Sequence, residues 1–196
     1  MARKFEFNCL STGIGSMPEM PVNEAISLIK RYLSLPHWPQ LPMRANFENM
    51  YIQFSEGFPG ISINGTKISV EKSGNFDSRL ENFYTNDADN NTETYKISPD
   101  YAMGLYSFKA TGPYAEPVKG QLTGPISWGL SVTDAEGRGI IYDDLLAETI
   151  AKFLHLKAAW EEKFLRSIAP DAVIFVDEPY LASLGSEGLK GAPVNA

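Results

Sequence analysis

Cysteine is nearly absent. Cys9 is the only one in 196 residues, which excludes an intramolecular disulfide framework and any multi-cysteine zinc site within this stretch. Histidine is almost as scarce: with His37 and His155 the stock of nitrogen and sulfur ligands comes to three residues. A zinc site would need all three to converge, or carboxylates to help. No window approaches the roughly 18 consecutive apolar residues of a membrane span, and the opening MARKFEFNCLSTGIG lacks the apolar h-region of a signal peptide. The chain is therefore read as cytoplasmic. Positive charge is in deficit as well. A net charge of −7 gives no electrostatic reason to expect nucleic acid or an anionic membrane as partner, which leaves a small molecule or another protein.

What is present is material for a core. Hydrophobic residues make up 43% and aromatics 12%, which places the chain among globular rather than disordered sequences. In VNEAISLIKRYL the apolar Val22, Ala25, Ile26, Ile29 and Leu33 recur at spacings of three and four and predict a helix, stopped by Pro36 and Pro39. ISINGTKISV, 61–70, alternates Ile61, Ile63, Ile68 and Val70 about Asn64-Gly65 and predicts a hairpin. Asp77 can cap a short helix through Tyr84, and Ser98-Pro99-Asp100 can start another that ends near Gly112. A long helix is expected from Tyr142 to about Ser167, with Asp143 and Asp144 at its positive end. Leu146, Ile150, Phe153, Leu154, Trp160 and Phe164 form its buried stripe; His155, inside it, reads as a packing or surface residue. Strands are expected near 8–13, 118–123 and 172–177, with a weaker one near 48–54.

Apolar strands alternating with long helices argue for a parallel sheet covered by helices, either doubly wound or closed as a barrel. Four strands are too few to close one. In such folds the loops at the carboxyl ends of the strands carry the site, and three segments qualify: GIGSMP, TGPISW and DEP. Asp177 and Glu178 point in alternate directions, and Asp177 continues the strand, so it is the inward group. It can bind an ammonium group, ligate a metal or act as a base; otherwise it makes a salt bridge or caps a helix. Ser16 can give its hydroxyl to a ligand carboxylate with help from nearby backbone amides, or serve as a turn or N-cap residue. Two other motifs fail on inspection. Asp87, Asp89 and Asn91 are spaced like half a calcium loop, but Thr92 stands where a Gly is required and Ser98 where a Glu belongs. Gly13 and Gly15 start a dinucleotide fingerprint whose third Gly position is taken by Pro18.

Taken in order, STGIGSMP, LTGPISW and VIFVDEP resemble the catalytic barrel of the cobalamin-independent methionine synthase family, within the superfamily that also holds uroporphyrinogen decarboxylase. The resemblance spans nearly the whole chain. It implies a (β/α)₈ TIM-barrel fold, here the first four β/α units over residues 1–196 as one domain, with the hairpin as an insertion at about 56–72. It also implies an S-methyltransferase acting on homocysteine, whose thiol is activated as a zinc-bound thiolate. Carried over by position, Ile14, Gly15 and Ser16 match the segment that holds the amino-acid part of homocysteine, and Asp177 the acid that receives its ammonium group. The methyl donor would be a folate or a corrinoid protein.

Two departures from the family pattern stand out. Where folate-using members carry a Gly-Glu acid after the second strand, this chain reads HWPQLPMR, so Gln40 or a neighbour takes that place. The family's zinc ligands, a His-x-Cys pair, a Glu and a later Cys, lie in the second half of the barrel. The expectation is a fragment that lacks them, binds no zinc tightly and is inactive alone. The rivals are a half-barrel binding or assembly module, able to associate as a homo-oligomer through open sheet edges, and a decarboxylase-like enzyme of the same superfamily.

Overall fold

A computed structural model describes residues 9–183. Helix α1 (Val22–Tyr32) begins after Pro21, carries Glu24 in its first turn and Lys30 and Arg31 in its last, and buries Ala25, Ile26 and Ile29. Its charges thus complement the helix dipole at both ends. A 3₁₀ turn (Asn46–Glu48) leads into the short α2 (Met50–Gln53), whose first turn is capped by the Asn49 side chain on the Tyr51 amide. The expected strand near 48–54 is therefore helical.

Strands β1 (Ile61–Asn64) and β2 (Lys67–Val70) form the predicted hairpin, with a shift of one residue at its tip. Asn64 pairs with Lys67, so the two turn residues are Gly65 and Thr66. Only Gly65 has a positive φ, +61°. That is the requirement of a II′ turn, which needs Gly at its first central position, whereas an Asn-Gly I′ turn needs positive φ at both. A short parallel bridge from Ser69 to Thr133 ties the hairpin to the rest of the molecule.

Helix α3 (Phe76–Ala88) starts one residue before Asp77, which lies in its first turn rather than at its cap, and it runs past Tyr84 to take in Asp87 of the half calcium-loop spacing. Asp87 there pairs with Lys152 at 2.9 Å. After a 3₁₀ turn (Thr92–Tyr95), α4 (Met103–Ala110) packs so closely on the preceding chain that a methyl at Gly104 would overlap the Pro39 carbonyl. Strand β3 (Val118–Thr123) is buried at all six positions. It runs into α5 (Pro125–Ser131), with Pro at the first turn as helix starts favour. The long α6 (Asp144–Arg166) is capped by Asp143 on the Leu146 amide and buries Leu146, Ile150, Phe153, Leu154 and Trp160, while Phe164 is half-buried and His155 is exposed. Phe153 is a hub, meeting the rings of Phe58, Tyr95, Phe83 and Trp128. Strand β4 (Ala172–Asp177) follows.

β3 and β4 pair in parallel from Val118↔Ala172 to Thr123↔Asp177. Two irregular extended segments continue the sheet. Residues 35–40 join β3 through the Lys119 amide on the Pro36 carbonyl (2.8 Å), and residues 11–16 join 35–40 through Leu35 on Ser11 and Gln40 on Gly15 (3.0 Å each). The order is therefore 11–16, 35–40, β3, β4, all parallel. The segment expected as a strand at 8–13 is, over its described part, extended chain paired further along, at 11–16. The second segment was hidden because Pro36 and Pro39 lack the amides of a regular ladder.

The result is a mixed α/β fold with an open sheet. β4 has no described strand on its outer side, and its apolar run is not buried throughout: Phe175 is 38% and Val176 55% exposed. No helix among the described residues is long and apolar enough to cross a membrane.

Candidate functional site

A cavity of about 340 Å³ opens at the carboxyl ends of the parallel segments, lined by Ile14, Ser16, Gln40, Met50, Asp177, Glu178 and Pro179. Three of the four residues singled out from sequence, Ile14, Ser16 and Asp177, lie on its wall. Gly15 stands directly behind it. Its φ of +137° and the approach of Gln121 Cδ and Gln40 Oε1, each 2.8 Å from where a Cβ would sit, leave no room for a side chain. Ile14 and Ser16 are exposed to the cavity. Ser16 does not cap α1, whose N-cap is Pro21. Among the described residues, no protein acceptor receives the amides of Gly15 or Ser16.

The two carboxylates that end β4 are used differently. Glu178 accepts the Ile126 amide on Oε1 (2.9 Å) and the Ser127 amide on Oε2 (2.7 Å), closing the first turn of α5. Gly124 makes this possible, because a side chain there would overlap the Glu178 carboxylate. Glu178→Ala should therefore cost about 1–2 kcal/mol, as other lost N-terminal caps do; an unchanged urea midpoint would show the cap to be idle. Asp177, by contrast, has no ion pair and no side-chain hydrogen bond among the described residues. Burial raises its carboxyl pKa, and the Lys119 ammonium opposes that shift.

Beneath the cavity lies a buried polar layer. On β3 the side chains of Lys119, Gln121 and Thr123 alternate with Val118, Gly120 and Leu122. Lys119 is fully buried; its Nζ donates to the Ile14 carbonyl (2.8 Å) and to Gln121 Oε1 (3.2 Å), and sits 4.7 Å from the centre of the Phe175 ring. Burial lowers its pKa to about 8. Gln121 Nε2 donates to the Trp38 carbonyl. From α6, Glu161 brings a fully buried carboxyl over Gly120. Its Oε1 accepts Trp38 Nε1 (2.6 Å) and the Gln121 amide (3.1 Å), and its Oε2 has no partner. Burial pushes this carboxyl up to about 8 against those bonds.

Gln40 joins the wall through a relay. The Tyr101 carbonyl can only accept, so Gln53 turns its Nε2 to it (2.7 Å) and its Oε1 toward Gln40 Nε2 (2.7 Å). Gln40 Oε1 is left on the cavity side, beside Gly15. None of Lys119, Gln121, Glu161 or Gln53 was evident in the sequence. The alternation in VKGQLT was the one available signal, and it reads equally well as a strand with one solvated face.

Zinc does not fit these residues. Cys9 is exposed, His37 is buried with Nδ1 2.9 Å from the Trp38 carbonyl, and His155 lies on the outside of α6. Among the described residues no group of three or more His, Cys, Asp or Glu side chains is placed to hold a metal ion. Comparison of the chain with protein-family models, with curated proteins and with solved structures returned no match.

Proposed function

We propose that this chain forms the first four β/α units of a (β/α)₈ barrel of the methionine synthase type, and that its cavity holds the amino-acid end of homocysteine during methyl transfer to sulfur. The observation that carries this reading is the meeting of Ile14, Ser16 and Asp177, from opposite ends of the chain, on one cavity wall. An α-amino acid needs an anion for its ammonium group and directed donors for its carboxylate. Asp177, with no partner among the described residues, is available as the first, and the Ser16 hydroxyl with the Gly15 and Ser16 amides as the second.

A second reading, a half-barrel that assembles with another chain, draws support from the open side of β4, where Phe175 and Val176 are exposed. Calorimetry on the 196-residue chain separates the two. Homocysteine is expected to bind, and 4-mercaptobutanoate, which lacks the amine, to bind at least about tenfold more weakly. No heat with homocysteine at millimolar concentration would overturn the first reading in favour of the second.

A further inference from the structure

Lys119 sits in the molecule at a cost that calls for an explanation. An ammonium with no exposed surface, held by two neutral oxygens and an aromatic face, gives up most of its hydration. An apolar side chain at the same place would carry no such cost, so packing does not account for it. Nor does direct contact with a ligand, since Lys119 is sealed beneath the cavity.

What Lys119 does touch is the Ile14 carbonyl, at 2.8 Å. That oxygen belongs to the same planar trans peptide as the Gly15 N–H, and in such a unit the two point in opposite directions. Gly15 is the residue at which this peptide can most easily turn over, because glycine with its φ of +137° meets none of the steric barriers that a Cβ imposes. Turned over, the peptide would offer a ligand carboxylate an oxygen in place of a donor. We infer that Lys119 is a positioning residue: by holding the Ile14 carbonyl inward it fixes the Ile14–Gly15 peptide in the orientation whose amide can serve a ligand's acid group. This rests on the proposed amino-acid site for the ligand, though not for the peptide orientation itself.

The polar layer fits that role. Gln121 Oε1 takes a second Nζ hydrogen at 3.2 Å while its own Nε2 is tied to the Trp38 carbonyl, so the lysine head is held from two sides. Gln121 and Gln40 also crowd Gly15, so that no side chain can take over the task of fixing this peptide.

The test is Lys119→Met in the whole 196-residue chain, read by NMR relaxation without ligand. The Gly15 N–H order parameter should fall from the rigid range, roughly 0.85, to below about 0.6, while Ile63 and Ile68 in the hairpin stay rigid. In parallel, affinity for homocysteine should drop about tenfold, the worth of one directed charge-assisted donor, and that for 3-mercaptopropylamine, which lacks the acid, should not change. If the single variant does not fold, Lys119→Met with Glu161→Gln removes the two titratable groups of this layer together and carries the same readouts. An unchanged Gly15 order parameter together with an unchanged Gly15 amide chemical shift overturns the proposal. A mobile Gly15 with unchanged homocysteine affinity overturns its ligand part. Failure of the unmodified chain to bind homocysteine strikes the proposed function instead, and the order parameter and amide shift still decide the role of Lys119.

Discussion

Asp177→Asn is expected to lower homocysteine affinity by about thirtyfold or more and to leave the fold as stable as before. The size follows from what the substitution removes: truncating one side of a hydrogen-bonded charge pair costs about 2–5 kcal/mol, and every 1.4 kcal/mol is tenfold in affinity. The neutral effect on stability follows from the surroundings. The Asp177 carboxylate bonds to no described residue, and burial raises its pKa, so its ionised form is a small cost to the folded state that the amide escapes. Its neighbour Glu178 behaves in the opposite way, structural and satisfied. Calorimetry of the variant with 4-mercaptobutanoate supplies the control: with no amine to lose, that ligand should bind as it does to the unmodified chain. Unchanged homocysteine affinity would remove Asp177 from the site.

The second large effect concerns Glu161 and pH. Its folded pKa of about 8 lies well above the ordinary carboxyl value, so between about pH 5 and 8 the folded state holds a proton that the unfolded state has released. Stability must fall as pH rises through that window. Lys157, lowered to about 7, and Lys119, lowered to about 8, act in the reverse sense. Above those values the unfolded chain holds the extra protons, and stability recovers toward pH 10. The buried layer thus predicts a stability minimum near pH 7 to 8. Glu161→Gln, which keeps the shape and removes the ionisation, should match the unmodified chain at pH 5 and exceed it at pH 8 by on the order of a few kcal/mol. Urea unfolding at both pH values checks this. Parallel pH profiles for the two proteins would show that Glu161 does not titrate in this range.

The elements legible in the sequence are those whose signal is local. Helices α1 and α6 declared themselves through three-and-four spacing, and the β1–β2 hairpin through alternation, although Gly65 moved its turn by one residue. Residues 35–40 were not legible as part of the sheet, because Pro36 and Pro39 imitate a helix stop and the segment is held by only a few bonds to its neighbours. In β4, VIFV reads as a doubly covered strand, yet its outer side lacks a described cover. The site divides along the same line. Ser16 and Asp177 could be picked out because strand-end loops are few. Glu161 could not be told from the half-buried Glu162 beside it, since only its position over Gly120 makes it different.

The Gln40–Gln53–Tyr101 relay has a consequence for whatever enters the cavity. An amide side chain is chemically two-faced, and on its own Gln40 could greet a visitor with either hydrogen or oxygen. Tyr101, whose carbonyl never meets the visitor, decides the matter by transmitting its polarity through two side chains in series. The wall behind Gly15 is thereby committed to accepting, so a ligand is sorted by whether it brings a hydrogen to that spot, and the selection is written into the backbone just before α4.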